Sequence, residues 1–106
     1  MAQAPVSMPE LSVLGSQIVD ESIFEGLRFK TLLKCIAWRE SSWNARAIGD
    51  QGRAVGLLQF HKETWERYCQ GDRKDPRAQL ECADKMLSEN FNNIWHWTTA
   101  RKCLRK

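Results

Sequence analysis

Leu33, Ile36, Ala37 and Glu40 fall at i, i+3, i+4 and i+7. That repeat marks one helix face and predicts a central helix from about Glu25 to Ser42. Three members of the face are apolar and the fourth is a carboxylic acid. Leu11, Leu14, Ile18 and Phe24 suggest a short helix within residues 11 to 24. Another is expected from near Lys62 to Cys69. Pro76 suits the first turn of a further helix, whose Leu80, Ala83 and Leu87 keep helical spacing. A last helix is expected over residues 94 to 104. Between Trp43 and Arg53 the pattern gives way to the turn signals Gly49-Asp50 and Gln51-Gly52. The apolar run from Val55 to Phe60 then predicts a short extended or hairpin element. Residues 1–10, with Pro5 and Pro9 and little periodicity, read as a flexible N-terminal segment. The expected architecture is one mostly α (α+β) domain over residues 11–106 with a minimal β-hairpin.

Composition narrows the function classes. A chain of 106 residues supports a single core. Hydrophobic content of 42% and charge of 27% are ordinary for a soluble globule. No apolar run approaches the ~20 residues needed to cross a bilayer. Net charge is +3, and no helix-turn-helix or RNA-motif signature accompanies it, so no nucleic-acid partner is expected. Arg101, Lys102, Arg105 and Lys106 gather positive charge at the C-terminus. They could favour an anionic cell wall, but a solvated, loose end is the preferred reading.

Four cysteines (Cys35, Cys69, Cys82 and Cys103) in so short a chain suggest two disulfides and an oxidising compartment. Three pairings are open. The preferred one joins Cys69 to Cys82 around a polar loop and Cys35 to Cys103, tying the last helix to the central one. Each bond would contribute ~2–4 kcal/mol. A zinc site with His61 or His96 is disfavoured, because there is no C-x-x-C pair and the cysteine gaps are uneven. No metal is therefore expected. Free thiols are the remaining alternative. Met1-Ala2-Gln3-Ala4-Pro5 has neither the basic start nor the apolar stretch of a signal peptide. Paired cysteines would place the protein outside the cytoplasm, either secreted or periplasmic and cell-wall associated. Its export signal would then have been removed and Met1 added, or export would use another route.

Glu40 is the main candidate for chemistry. A free Glu titrates near ~4.3 and is almost fully ionised at neutral pH. An apolar setting disfavours the ionised form and raises the pKa, leaving a protonated fraction able to donate. Glycosidic cleavage requires such a donor, because an alkoxide leaves poorly unless it is protonated as it departs. The alternative is an ordinary solvated Glu in a last helical turn.

Glu40-Ser41-Ser42-Trp43-Asn44, a short gap, and then Gly52-Arg53-Ala54-Val55-Gly56-Leu57-Leu58-Gln59-Phe60 resemble the motifs of the SLT-type lytic transglycosylases, a branch of the lysozyme-like superfamily. That family reads E-S-x-[FW]-[ND]-P-x-A and then G-A-x-G-L-M-Q-[IF]. Asp75-Pro76, Gln79-Leu80, Ala83 and Met86-Leu87 follow the spacing of its D-P-x-x-N-I-x-x-G-x-x-Y-L helix, so the resemblance covers about residues 27 to 89. The chain departs from the pattern in several places. Arg46 stands near the usual proline, and one extra residue separates the glycines of the turn. His61 replaces a hydrophobic residue, and the later A-Y-N-A-G segment is missing. Trp97-Thr98-Thr99-Ala100 lies roughly where that segment would fall.

The resemblance implies a small lysozyme-like domain that cleaves the MurNAc-β-1,4-GlcNAc bond of peptidoglycan, with Glu40 as acid and then base and no cofactor. It also implies that Gln59 faces the cleft and hydrogen-bonds sugar groups, the alternative being that its amide satisfies the turn backbone. Asp50 could support the cation or position a water in a hydrolase, but the turn reading is preferred for it. His61 would contact the glycan or tune Glu40, or simply precede a helix on the surface. Trp97 is the sugar-platform candidate, whereas Trp43 is expected to be structural. The rival functions are a hydrolytic, goose-type-like lysozyme and a weakly active glycan-binding module. A monomer is expected, with a secretion-system or phage-tail assembly as a candidate partner.

Overall fold

The structure, a computed structural model, describes residues 16–104. The flexible segment expected over residues 1–10 lies outside them, as does the start of the helix expected over 11 to 24. The described residues form four α-helices and a small antiparallel sheet: α1 (Lys30–Ser41), α2 (Lys62–Tyr68), α3 (Pro76–Glu89) and α4 (Ala100–Leu104). The strands are β1 (Ile48–Gly49), β2 (Ala54–Val55) and β3 (Phe60–His61) in the order β1-β2-β3. Ile48 pairs with Val55 and Gly49 with Ala54, while Ala54 pairs with His61 and Val55 with Phe60. The expected mostly α fold with a small β element is the one observed, with a third strand added to the hairpin.

The central helix starts later than its periodicity suggests. Asp20 caps a 3-10 turn, Glu21–Phe24, by accepting from the Ser22 N–H. Gly26 follows at φ +84, a conformation that ends any continuous helix. The backbone leading into α1 is then held by a residue distant in sequence. Asp84 on α3 accepts from the Arg28 N–H at 3.0 Å and the Phe29 N–H at 2.8 Å. A carboxylate at a helix N-terminus satisfies orphan donors and complements the helix dipole. No short-range pattern contains that contact.

The core is formed by Phe24, Leu33, Ile36, Leu57, Leu58, Leu80, Met86, Leu87 and Ile94, all at most 1–2% exposed. Gln79 is the buried polar residue among them, at 0% exposure. Its Oε1 accepts from the Leu58 N–H at 2.8 Å, and its Nε2 donates to the Val55 and Arg73 carbonyls at 2.9 and 2.6 Å. One side chain on α3 thus holds the turn between β2 and β3 in register. Gly56, at φ +87, lies against that amide, and a Cβ there would collide with it. This explains a glycine at the position on two separate grounds.

The helix expected over residues 94 to 104 is broken in two. A 3-10 helix, Phe91–His96, begins at Asn90, whose side chain accepts from the Asn92 N–H. Trp97, Thr98 and Thr99 then interrupt it before α4. Disulfides join Cys35 to Cys103 and Cys69 to Cys82, the pairing preferred from the sequence.

Candidate active site

Glu40 occupies the last turn of α1, and the end of that helix is unusually well fixed. Ser42 and Trp43 take left-handed backbone conformations, φ 54 and 63. The Ser42 N–H donates to the Trp38 carbonyl at 2.9 Å, closing the helix as C-terminal left-handed residues do. The Trp43 indole N–H donates to the Lys34 carbonyl at 3.0 Å, and its ring packs on Phe24 at 5.1 Å, so Trp43 is structural. Ser41 Oγ lies 2.7 Å from the Leu57 carbonyl and 3.0 Å from that of Ala37, fastening the helix end to the hairpin turn. Glu40 is thereby held beside the turn that Gln79 fixes from within.

The carboxyl itself is half-buried, and Thr99 Oγ1 donates to its Oε2 at 2.7 Å. Burial pushes the Glu40 pKa above the usual carboxylate range. The Thr99 hydrogen bond and the nearby His61 charge pull it back only in part. A half-buried acid that keeps its proton towards higher pH, aimed by one hydroxyl, is chemically able to donate to an oxygen leaving group. Thr99 is the site residue that the sequence reading missed. Its only signal was position, in the four residues standing where the A-Y-N-A-G segment would fall.

Asp50 and His61 come together, but not as two separate ligands. His61 Nε2 lies 3.2 Å from Asp50 Oδ2, and Arg53 Nη2 lies 3.2 Å from Asp50 Oδ1. The β2–β3 pairing brings His61 opposite Ala54, four residues after Asp50. The turn reading of Asp50 agrees with its left-handed φ of 52 and with the 3-10 helix Asp50–Gly52 that it opens.

Gln59 is less free than the cleft-facing expectation requires. Its Nε2 donates to the Ala47 and Gly56 carbonyls at 3.1 and 3.0 Å, so the amide nitrogen braces the turn. Trp97 requires a correction. At 3% exposure, with its indole N–H on the Leu58 carbonyl at 2.9 Å and its ring edge-on to Phe60, it is a core residue with no face for a sugar. The large exposed indoles are Trp38 and Trp95, at 58% and 54%. Among the described residues, no cluster of three or more His, Cys, Asp or Glu is placed to hold a metal ion. A cavity of about 410 Å³ opens beside Ala47, Ile48, Val55 and Lys74, and Glu40 does not line it.

A small helical domain with a three-stranded turn region, and a half-buried acid at the end of its central helix, is the arrangement of lysozyme-like enzymes. The family profile described as Transglycosylase SLT domain matches residues 28–102, and the chain belongs to that family. No curated protein and no solved structure matches the chain. Membership carries, at the level of the family, lytic-transglycosylase-type activity on peptidoglycan. Among the described residues no helix is long and apolar enough to cross a membrane.

Proposed function

We propose that this protein cleaves the MurNAc-β-1,4-GlcNAc bond of peptidoglycan with Glu40 as general acid and then base. The observation that carries the reading is the Glu40 carboxyl, half-buried, raised in pKa and oriented by Thr99. Glu40 gives its proton to the glycosidic oxygen as the C1–O bond breaks. The resulting carboxylate then takes the proton of the hydroxyl that attacks C1. When that hydroxyl is the sugar's own 6-OH, the product is an anhydromuramic end. When it is water, the product is a reducing end. Asp50 is already engaged by Arg53 and His61, which supports the first route.

Digestion of purified sacculi followed by mass spectrometry of the muropeptides tests this. Anhydro ends are expected, and reducing ends would move the protein to the hydrolytic class. Glu40→Gln should lower turnover by about 10²–10⁴-fold, the usual worth of a positioned acid, while glycan binding is kept. Turnover unchanged in that variant would remove Glu40 from the chemistry. Absence of any product from the unaltered protein would favour a binding module. The two disulfides support an extracytoplasmic site of action at the cell wall.

A further inference from the structure

The cavity of about 410 Å³ beside the hairpin turn takes no part in the proposed reaction, yet its lining is chemically specific. Ala45, Ala47, Ile48 and Val55 supply apolar surface, and Arg46 and Lys74 supply charge. Among the described residues no carboxylate lines it. Asp72 and Asp75 flank Lys74 in sequence but are not part of the lining. Elsewhere Lys30, Lys34, Arg53 and Arg77 are each held by an acid. The side chains of Arg46 and Lys74 make no ion pair or hydrogen bond with any described residue. We propose that this cavity binds the peptide stem of the same glycan, Arg46 and Lys74 taking a stem carboxylate and the apolar wall its methyl groups. The inference rests on peptidoglycan being the substrate.

Both cations stand on braced backbone. The Arg46 N–H donates to Asn44 Oδ1 at 2.9 Å, and the Lys74 N–H to Asp72 Oδ1 at 2.9 Å. Gln79 Nε2 holds the Arg73 carbonyl, just before Lys74, at 2.6 Å. The Ala47 carbonyl in the wall already accepts from the Gly56 N–H at 2.8 Å and from Gln59 Nε2 at 3.1 Å. A neutral sugar has no use for two unpaired cations. Muramic acid, however, carries on its lactyl group a short peptide with alanine methyls and free carboxylates. A guanidinium grips a carboxylate with two parallel bonds, and an ammonium adds a point charge. The volume lies within the usual range of small-ligand sites. Placement agrees as well. Gly56 lines the cavity, and the carbonyl of the next residue, Leu57, accepts from Ser41, the neighbour of Glu40. One turn therefore connects the cavity to the acid. Arg46 stands near the position where the family pattern carries a proline, so the pattern itself supplies no cation there.

The test compares two substrates with the full chain: solubilised glycan strands bearing stems, and the same strands after an amidase has removed them. The proteins are the unaltered chain, the double variant Arg46→Gln/Lys74→Gln, Arg46→Lys, and a control, Arg101→Gln/Lys102→Gln. The control removes the same charge from α4, outside the cavity. Exposed ion pairs are individually modest, so the kcat/KM preference for stem-bearing strands should fall roughly three- to ten-fold in the double variant, through KM. Its kcat on bare strands should be unchanged. Arg46→Lys should keep part of the preference, and the control all of it. An unmoved preference in the double variant, or an equal fall in the control, overturns the proposal. Amide NMR of the unaltered protein, titrated with a muramyl dipeptide and with its carboxamide, reads the site without turnover. Arg46, Ala47 and Gly56 should shift with the acid and not with the amide, and equal shifts overturn the site. Glu40→Gln separates the two ideas. If it retains turnover while those amides shift, the assignment of the acid fails and the site stands. If it loses turnover and they do not move, only the site fails.

Discussion

The stretch from Glu40 to His61 carries many of its own braces and is clamped from α3 by Gln79, whereas the stretch from Phe91 to Leu104 is held mainly from outside. In the first, left-handed residues at Ser42, Trp43, Asp50, Gln51 and Gln59 set the chain path. Bonds from Ser41 and Gln59 to other residues of the stretch then lock it. In the second, Asn93 donates to the Met86 carbonyl, Trp97 to that of Leu58, and Cys103 is bonded to Cys35. Glu40 comes from the region with more braces of its own, and the Thr99 hydroxyl bonded to it comes from the more dependent one. The difference teaches that the position of Glu40 is a local property, whereas its protonation belongs to the tertiary structure.

The largest test of this contrast compares the two disulfides. Cys35–Cys103 spans 68 residues and Cys69–Cys82 spans 13. Chain-entropy reasoning gives about 4 kcal/mol for the longer ring and about 3 kcal/mol for the shorter. Replacing either pair with serines should therefore lower stability by similar amounts, read by denaturant unfolding. Their effects on catalysis should differ. Loss of Cys35–Cys103 frees α4 and loosens Thr99, so turnover should fall even where the protein is fully folded. Loss of Cys69–Cys82, at the junction of α2 and α3, should leave turnover of the folded fraction unchanged. Equal effects on turnover would break the contrast.

Thr99→Val is a smaller and more local probe of the dependent region. It keeps the shape and removes the bond to Glu40 Oε2. A hydrogen bond to a charged group contributes about 1.5–3 kcal/mol, so turnover should fall by roughly ten-fold or more if the bond orients the acid in the transition state. The bond lowers the Glu40 pKa, so its removal should raise that pKa and shift the alkaline limb of the pH profile upward. Thr99→Ser should restore both. A profile that falls without shifting would mean that Thr99 matters only for packing.

How much of this could be read in the sequence follows the same divide. The helix bearing Glu40, the hairpin after it and Pro76 at the start of α3 were all legible, because each rests on spacing or turn chemistry within a few residues. The preferred cysteine pairing was also the one observed. The start of α1 was misplaced because Gly26 breaks it and Asp84, some 55 residues away, holds the backbone just ahead of it. Trp97 was misassigned because an indole serves a core and a sugar platform equally well in composition. Its burial, its packing on Phe60 and its bond to Leu58 decide between them. Thr99 was missed because a threonine near a carboxyl has no pattern of its own. Its role exists only once the break between residues 97 and 99 carries it to Glu40.

The smallest effect concerns stability rather than rate. Glu40 has a pKa raised in the folded protein above its value in the unfolded chain, with burial as the main cause. Between those two values the folded state binds more protons than the unfolded one, so stability falls as pH rises. The contribution is fully present below the unfolded value, near ~4.3, and is lost as pH climbs through the folded one. Gln at position 40 does not titrate and can still accept from Thr99. Comparing the two proteins cancels the titration of every other acid, to the extent that those acids do not sense residue 40. Glu40→Gln should therefore match the unaltered protein in acid and become the more stable of the two at neutral and alkaline pH, read by thermal melts across the range. That outcome would mark Glu40 as a residue kept at a cost to the fold, which packing alone gives no reason to retain. Parallel curves at all pH values would mean that its carboxyl is as well solvated folded as unfolded, and the contrast between the two regions would lose its meeting point.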